Sequence, residues 1–189
     1  MQGFQVWLVR TLPTLIRPVS TFMHSRWGWP AMESTHFIGL SLLVGTIAIF
    51  DLRLLGMAKR IPMAALHRLV PWGVAGYLIN VLSGLTFLLT EPDQYIYNPS
   101  FHFKILFMAL AGLNILTFYT IAFREVKASG PGADAPRIAK IVAAASLCLW
   151  IGVIVCGRLL TFYRPGQCGP NLPRVLDCIP SRRQISAMR

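Results

Sequence analysis

The sequence predicts an all-α polytopic membrane protein: a four-transmembrane-helix antiparallel bundle preceded by an N-terminal interfacial amphipathic helix. Three observations carry that reading. Four long apolar runs occupy residues 30–50, 69–89, 102–123 and 139–163. Charged residues make up only 13% of the 189, where soluble domains hold about 25%, and the mean hydropathy is +0.56. The polar residues gather in the connections between the runs, which makes one membrane domain the natural count.

Each run has about the twenty residues needed to cross the hydrocarbon core. Only helices and closed barrels satisfy every backbone group in lipid, and apolar runs of this length are helices. The chain therefore divides into an interfacial segment at 1–29, a four-helix domain at 30–163 and a basic tail at 164–189. In the first segment Phe4, Val6, Trp7, Leu8, Leu12, Leu15 and Ile16 alternate with Arg10 and Arg17. That pattern suits a helix lying in the headgroup plane. No small-residue cleavage site follows it, so no cleaved signal peptide is expected.

Trp27, Trp29 and Pro30 mark where the first helix enters the bilayer, with tryptophans at interface depth and proline in the first turn. That helix carries Glu33, His36, Gly39 and Gly45, and Asp51 and Arg53 close it. The second helix holds Gly73, Gly76, Asn80, Ser83 and Gly84. Small residues at this spacing let a neighbouring helix or a flat ligand approach closely. Asn80 lies at mid-membrane and needs a partner, for which Asn114 on the third helix is the natural choice. Asn98 is placed to cap the third helix, with Pro99 in its first position. The fourth helix carries Cys148, Trp150, Cys156, Gly157 and Arg158. Prolines 165, 170, 173 and 180 exclude a long helix from the tail.

Let side A be the face on which the first helix starts, and side B the opposite one. The side-B connections and helix edges hold Arg53, Lys59, Arg60, Arg68, Arg124, Lys127, Arg137 and Lys140. The side-A connection, 90–101, holds Glu91 and Asp93 and no cation. The excess of cations puts side B in the cytoplasm. Both tails lie on side A and are themselves basic. Cys168 and Cys178, bracketing a short Pro/Gly-rich stretch, suit either a disulfide in an oxidising compartment or two free thiols. Cys148 and Cys156 read as small packing residues. The expected location is a bacterial inner membrane, with both termini periplasmic.

Ionisable residues inside a membrane are costly, so they mark functional sites by default. The antiparallel order brings Glu33, His36, His102, Lys104 and Arg158 to the side-A half. Imidazoles from two facing helices are what a b-type haem takes as axial ligands. On this reading His36 and His102 ligate one haem. Arg158 or Lys104 pairs with its propionates, and Gly39 leaves room for the porphyrin. Glu33 serves as a proton or hydrogen-bond partner. Against this stands a plainer reading: His36 bonded to Glu33, His102 in the headgroups, and both cations reaching for phosphates. His67 stands on side B without a second histidine and reads as a surface residue. Copper is the alternative metal, since thioethers and imidazoles suit Cu(I). Its candidates are Met57, Met63 and His67 on one side and Met23, His24 and Met32 on the other, none of them a tight methionine motif.

Residues Glu33 to Gly39, Leu43 to Gly45, Asp51 to Gly56, Asn98 to Lys104, Gly112 to Asn114 and Trp150 to Arg158 resemble an uncharacterised family of small bacterial four-helix membrane proteins. The pattern is loosely similar to the membrane domain of copper-resistance D proteins and to four-helix haem proteins of the cytochrome b561 type. The likeness spans about 30–163. The cytochrome b561 pattern would imply two haems, and this chain lacks the second histidine pair on side B, so it supports one.

Three functions follow. The first is a membrane-anchored haem b electron-transfer protein, or such a subunit of a larger complex, linking the quinone pool to a periplasmic carrier. The second is a structural or assembly subunit without its own cofactor. The third is a copper-handling or transport protein, for which the broken helix pair and inverted repeat of transporters are missing. Each makes the chain an accessory or electron-transfer subunit rather than a stand-alone enzyme. The net charge of +11 is accounted for by topology, anionic headgroups and an anionic protein partner, and no nucleic-acid partner is expected.

Overall fold

The computed structural model describes residues 13–57, 59–128, 132–164, 166–167 and 178–179. They form helices α1 (Pro13–Met23), α2 (Gly28–Leu54), α3 (Met63–His67), α4 (Val70–Thr90), α5 (Pro92–Ile96), α6 (Pro99–Thr117), α7 (Phe123–Ala128) and α8 (Arg137–Phe162). A single π-helical stretch, Phe118–Ala122, joins α6 to α7. Beyond α8, Gly166–Gln167 pairs in parallel with Cys178–Ile179. The rest of the described chain is helix and the short connections between helices.

Four helical spans are long and apolar enough to cross a membrane: Gly28–Leu54, Ala65–Thr90, Pro99–Val126 and Arg137–Phe162. They coincide with the four apolar runs and overshoot them at most ends. The overshoot is local chemistry that hydropathy does not register. At the start of α6 the Asn98 carboxamide accepts the Ser100 amide at 3.0 Å, and Pro99 needs no partner for its nitrogen. The helix therefore begins three residues before the apolar run does. The other end of Asn98 donates to the Tyr163 carbonyl at 2.6 Å. Fully buried, it ties the last turn of α8 to the first of α6. At the far end of α2 the chain reverses through Gly56 at φ +101°, a conformation glycine adopts without steric penalty.

The spans pack as two pairs, α2 on α4 and α6 on α8, joined by α2 against α8. Lipid offers no hydrophobic drive for helices to associate, so close fit and hydrogen bonds decide the pairing. In the first pair Gly76 faces the backbone of α2 so closely that a Cβ there would lie 2.7 Å from Gly39 O and Leu43 N. In the second pair Gly152 lies flat against the Phe107 ring, and Trp150 packs with Leu43, Ala111 and Val153. A second apolar cluster of Leu54, Phe118, Ala122, Val126, Ala139, Val142 and Ala143 closes the side-B end. Outward-facing Ile38, Leu82, Leu113 and Ile141 are more than half exposed, as side chains meeting lipid tails are. The expected Asn80 to Asn114 bond does not form. Asn80 donates to the His36 carbonyl at 3.0 Å, and Asn114 to the Val142 carbonyl at 3.0 Å. Each amide seals its own helix pair.

The helix α1 docks on α4 and α2 by burying Met23. His24 reaches Glu91, Nε2 to Oε1 3.6 Å, just past the end of α4. The amphipathic residues before Pro13 lie outside the described residues.

Candidate functional site

The side-A half of the α2/α4 pair encloses a polar station centred on His36. One face of α4 presents Asn80, Ser83, Gly84 and Phe87, spaced three, one and three residues apart, so all four meet α2. Asn80 holds the backbone of His36. Ser83, buried, holds its ring, with Oγ 2.7 Å from Nδ1. Phe87 meets the imidazole edge-on at a centroid distance of 5.8 Å, and Trp29 packs against Phe87 at 5.2 Å.

The hydroxyl of Ser83 sets the tautomer. Its oxygen lies 2.6 Å from the Ile79 carbonyl and 3.2 Å from that of Asn80, and a carbonyl can only accept. The one Ser83 proton goes to Ile79, so Nδ1–H of His36 donates to Ser83 Oγ. The neutral ring then carries its lone pair on Nε2. A partner that fixes one nitrogen and frees the other is the arrangement that readies imidazole for ligation or proton acceptance. Beside the ring, Gly84 leaves a gap: a Cβ there would meet nothing nearer than His36 Cε1, at 3.8 Å.

Lys104 comes in from α6, near enough to His36 and to Cys156 on α8 for charge to be felt between them. Opposite it stands Gly157, where a Cβ would have Lys104 Nζ as its nearest neighbour, at 3.7 Å. No carboxylate pairs with Lys104 among the described residues. Glu33, half-buried one turn before His36, lies by Tyr95 of α5. Burial, together with the Glu33 and Glu91 carboxylates, pushes the Tyr95 hydroxyl up to about 12. That phenol stays neutral and able to donate a hydrogen bond.

The remaining sequence candidates sit elsewhere. Gly39 lies in the α2/α4 crossing, its would-be Cβ 2.7 Å from Ile79 Cγ2; the space it leaves is taken by α4. His102 is exposed, and its ring neighbour is Phe101 at 6.3 Å. Arg158 is exposed with its guanidinium over Phe162, 5.0 Å from the ring centre. Cys148 and Cys156 are free thiols. Cys168 and the Cys178 side chain lie outside the described residues, as does any disulfide between them. His67 is exposed and packs against Phe123 and Tyr119. No three His, Cys, Asp or Glu side chains gather as a metal site among the described residues.

Sequence reasoning passed over Ser83 as a mere small residue, though its place one face from Asn80 and Phe87 was visible in the spacing. It also treated Asp51 as a helix end. Asp51 is in fact 6% exposed, with the Ser146 hydroxyl of α8 facing it.

Bundle and station together define a four-span helical protein of the membrane with a conjoined His, Ser and Lys in its interior. Within that class the chain belongs to DUF6644, a family of unknown function whose profile matches residues 28–163. The matched segment covers all four spans, with His36, Lys104 and Asp51 inside it and α1 outside. No curated protein and no solved structure matches the chain. The membership agrees with the likeness to a small uncharacterised membrane family and supplies no link to copper-resistance D proteins or to cytochrome b561.

Proposed function

We propose that the chain is a b-type haem subunit of a bacterial inner-membrane redox complex, with His36 as the residue that would hold the haem. The observation that carries this reading is the free Nε2 of His36, left open by the Ser83 bond to Nδ1. The residues around it fit such a group. Gly84 and Gly157 leave out Cβ atoms that would touch the imidazole and the Lys104 ammonium, at 3.8 and 3.7 Å. Lys104, with no carboxylate partner among the described residues, is a cation ready for a propionate. His102 on its exposed face is left out of this ligand set, which rests on one histidine rather than two.

A haem held here supplies one-electron transfer. The chain's own residues would hold it: Ser83 orients the His36 ring, Phe87 and Trp29 pack beside that ring, and Lys104 would balance acidic charge. The partners fitting this role are the quinone pool within the bilayer and an electron carrier on side A, taken as periplasmic from the charge of the connections. The reading of a cofactor-free assembly subunit predicts a colourless protein. A reduced-minus-oxidised spectrum of the purified full chain separates the two. Soret and α bands of b type, lost in His36→Ala, are expected, and a colourless wild-type protein expressed with ample haem overturns the proposal.

A further inference from the structure

The opposite half of the bundle holds a second buried ionisable group. Asp51 lies in the last turn of α2, with its own carbonyl accepting the Leu55 amide at 2.9 Å. It is 6% exposed, and its Oδ2 has no hydrogen-bond partner. No cationic nitrogen lies within ion-pairing distance among the described residues. Arg53, two residues on, is buried facing another way and gives its Nε to the Ile61 carbonyl at 2.9 Å. Lys59 and, from α8, Lys140 both hold Asp134, at 3.0 and 3.1 Å. The α6 side offers Asn114, whose amide is taken by Val142, and the neighbouring cluster of Leu54, Phe118, Ala122, Val142 and Ala143 is apolar. Only the Ser146 hydroxyl acts on the carboxyl.

A carboxylate in that position has three costs. It is desolvated, it is unpaired, and it sits at the negative end of a helix dipole. A proton removes all three at once. One turn along α8 from Ser146 lies Trp150, 6% exposed, whose Nε1–H also has no acceptor. A buried carboxyl oxygen without a partner is a place where a proton or a buried water makes the missing bond. A hard metal cation is a poorer fit. It takes about six or more oxygen ligands, whereas the described side chains at this place offer a carboxyl and a hydroxyl.

We propose that Asp51 is a proton-binding carboxyl of the membrane interior, neutral in the resting protein and hydrogen-bonded to Ser146. The exchanged species is the proton alone: the acid releases it to water and becomes carboxylate, and takes it back, with no change of oxidation state. The site stands apart from His36 and does not depend on a haem being bound.

Infrared spectra of the full chain in vesicles, compared in light and heavy water at neutral pH, test it. The expected result is a carbonyl stretch of a protonated carboxylic acid that shifts on deuteration. It vanishes in Asp51→Asn, a neutral isostere that keeps the melting temperature, and moves in frequency in Ser146→Ala. Identical carboxylic-acid regions in wild type and Asp51→Asn overturn the proposal. So does a band abolished by added sodium at constant pH, which would make the site a cation site. Where Asp51→Asn does not fold, the Ser146→Ala spectrum decides alone: an unmoved band overturns the assignment.

Discussion

The two ends of the bundle handle their buried polar groups in opposite ways. Around His36 the ring is held by the hydrogen-bonded Asn80 and Ser83 side chains, and what remains open is the Nε2 lone pair, with the Lys104 ammonium near it. Around Asp51 the polar groups are incompletely matched, with Oδ2 left over, and one turn from Ser146 along α8 the Trp150 N–H is left over too. A ring fixed in this way with one open nitrogen is a rigid binding position, since the groups that hold it are committed. An unsatisfied group is completed by something small and mobile, a proton or a water. Such polar contacts are made in low dielectric, where each missing partner costs about 1–3 kcal/mol, so the contrast has energetic consequences.

The largest break in the comparison comes from His36→Ala. It removes the open nitrogen and leaves Ser83 to bond within α4, while Asn80 keeps its bond to the carbonyl of residue 36, so the bound chromophore should be lost altogether while the helical content by circular dichroism stays. Next is Ser83→Ala. The imidazole keeps its place between Phe87 and Gly84 but loses the group that fixes its tautomer. Orienting partners of this kind are worth roughly 10–100-fold in affinity. Haem titration of the purified apoprotein measures that loss, and an unchanged affinity would mean Ser83 only packs.

A third substitution strikes the joint between the two halves. In Gly76→Val the new side chain meets the α2 backbone at Gly39 and Leu43, which cannot swing aside as a side-chain tip can. Overpacking of this sort costs about 1–3 kcal/mol, and it also separates Asn80 and Ser83 from His36. Thermal unfolding in detergent should show the lower stability, with weaker chromophore retention alongside it. Loss of stability without loss of chromophore would show that the station is held from α6 and α8 instead.

How far the sequence foretold this arrangement depends on the range of the contact. The four spans were legible because lipid imposes length and composition on every residue of a span. The Asn98 cap was legible because its acceptor is two residues away. The partners of Asn80 and Asn114 were misjudged, since both amides lie at mid-membrane depth and depth says nothing of rotation. Facing is set by where Gly76 and Gly152 allow backbones to close, and that is a property of pairs of helices. Lys104 and His102 were both assigned to the side-A layer, and of the two it is Lys104 that comes near His36 while His102 is exposed: layer follows from sequence position, face does not. Asp51 was hidden by its place at a helix end, where a carboxylate ordinarily meets water.

The smallest expected effect lies outside the bilayer, at the side-B end, and sharpens the contrast with Asp51. Asp134 is a carboxylate with what Asp51 lacks, two cations and solvent. Hydrogen bonds from the Lys59 and Lys140 ammonium groups hold its carboxyl below the usual range. The folded protein therefore binds this proton less readily than the unfolded chain does. The stabilisation is present above the ordinary carboxylate pKa and is lost as pH falls through the lower folded value. Because the cluster is half-exposed, solvent and salt weaken it, and Asp134→Asn should lower the melting temperature only slightly at neutral pH in low salt. The two proteins should converge in acid and in high salt. A difference that persists below the folded value would assign the effect of Asp134 to the geometry of the connection before α8 rather than to its charge.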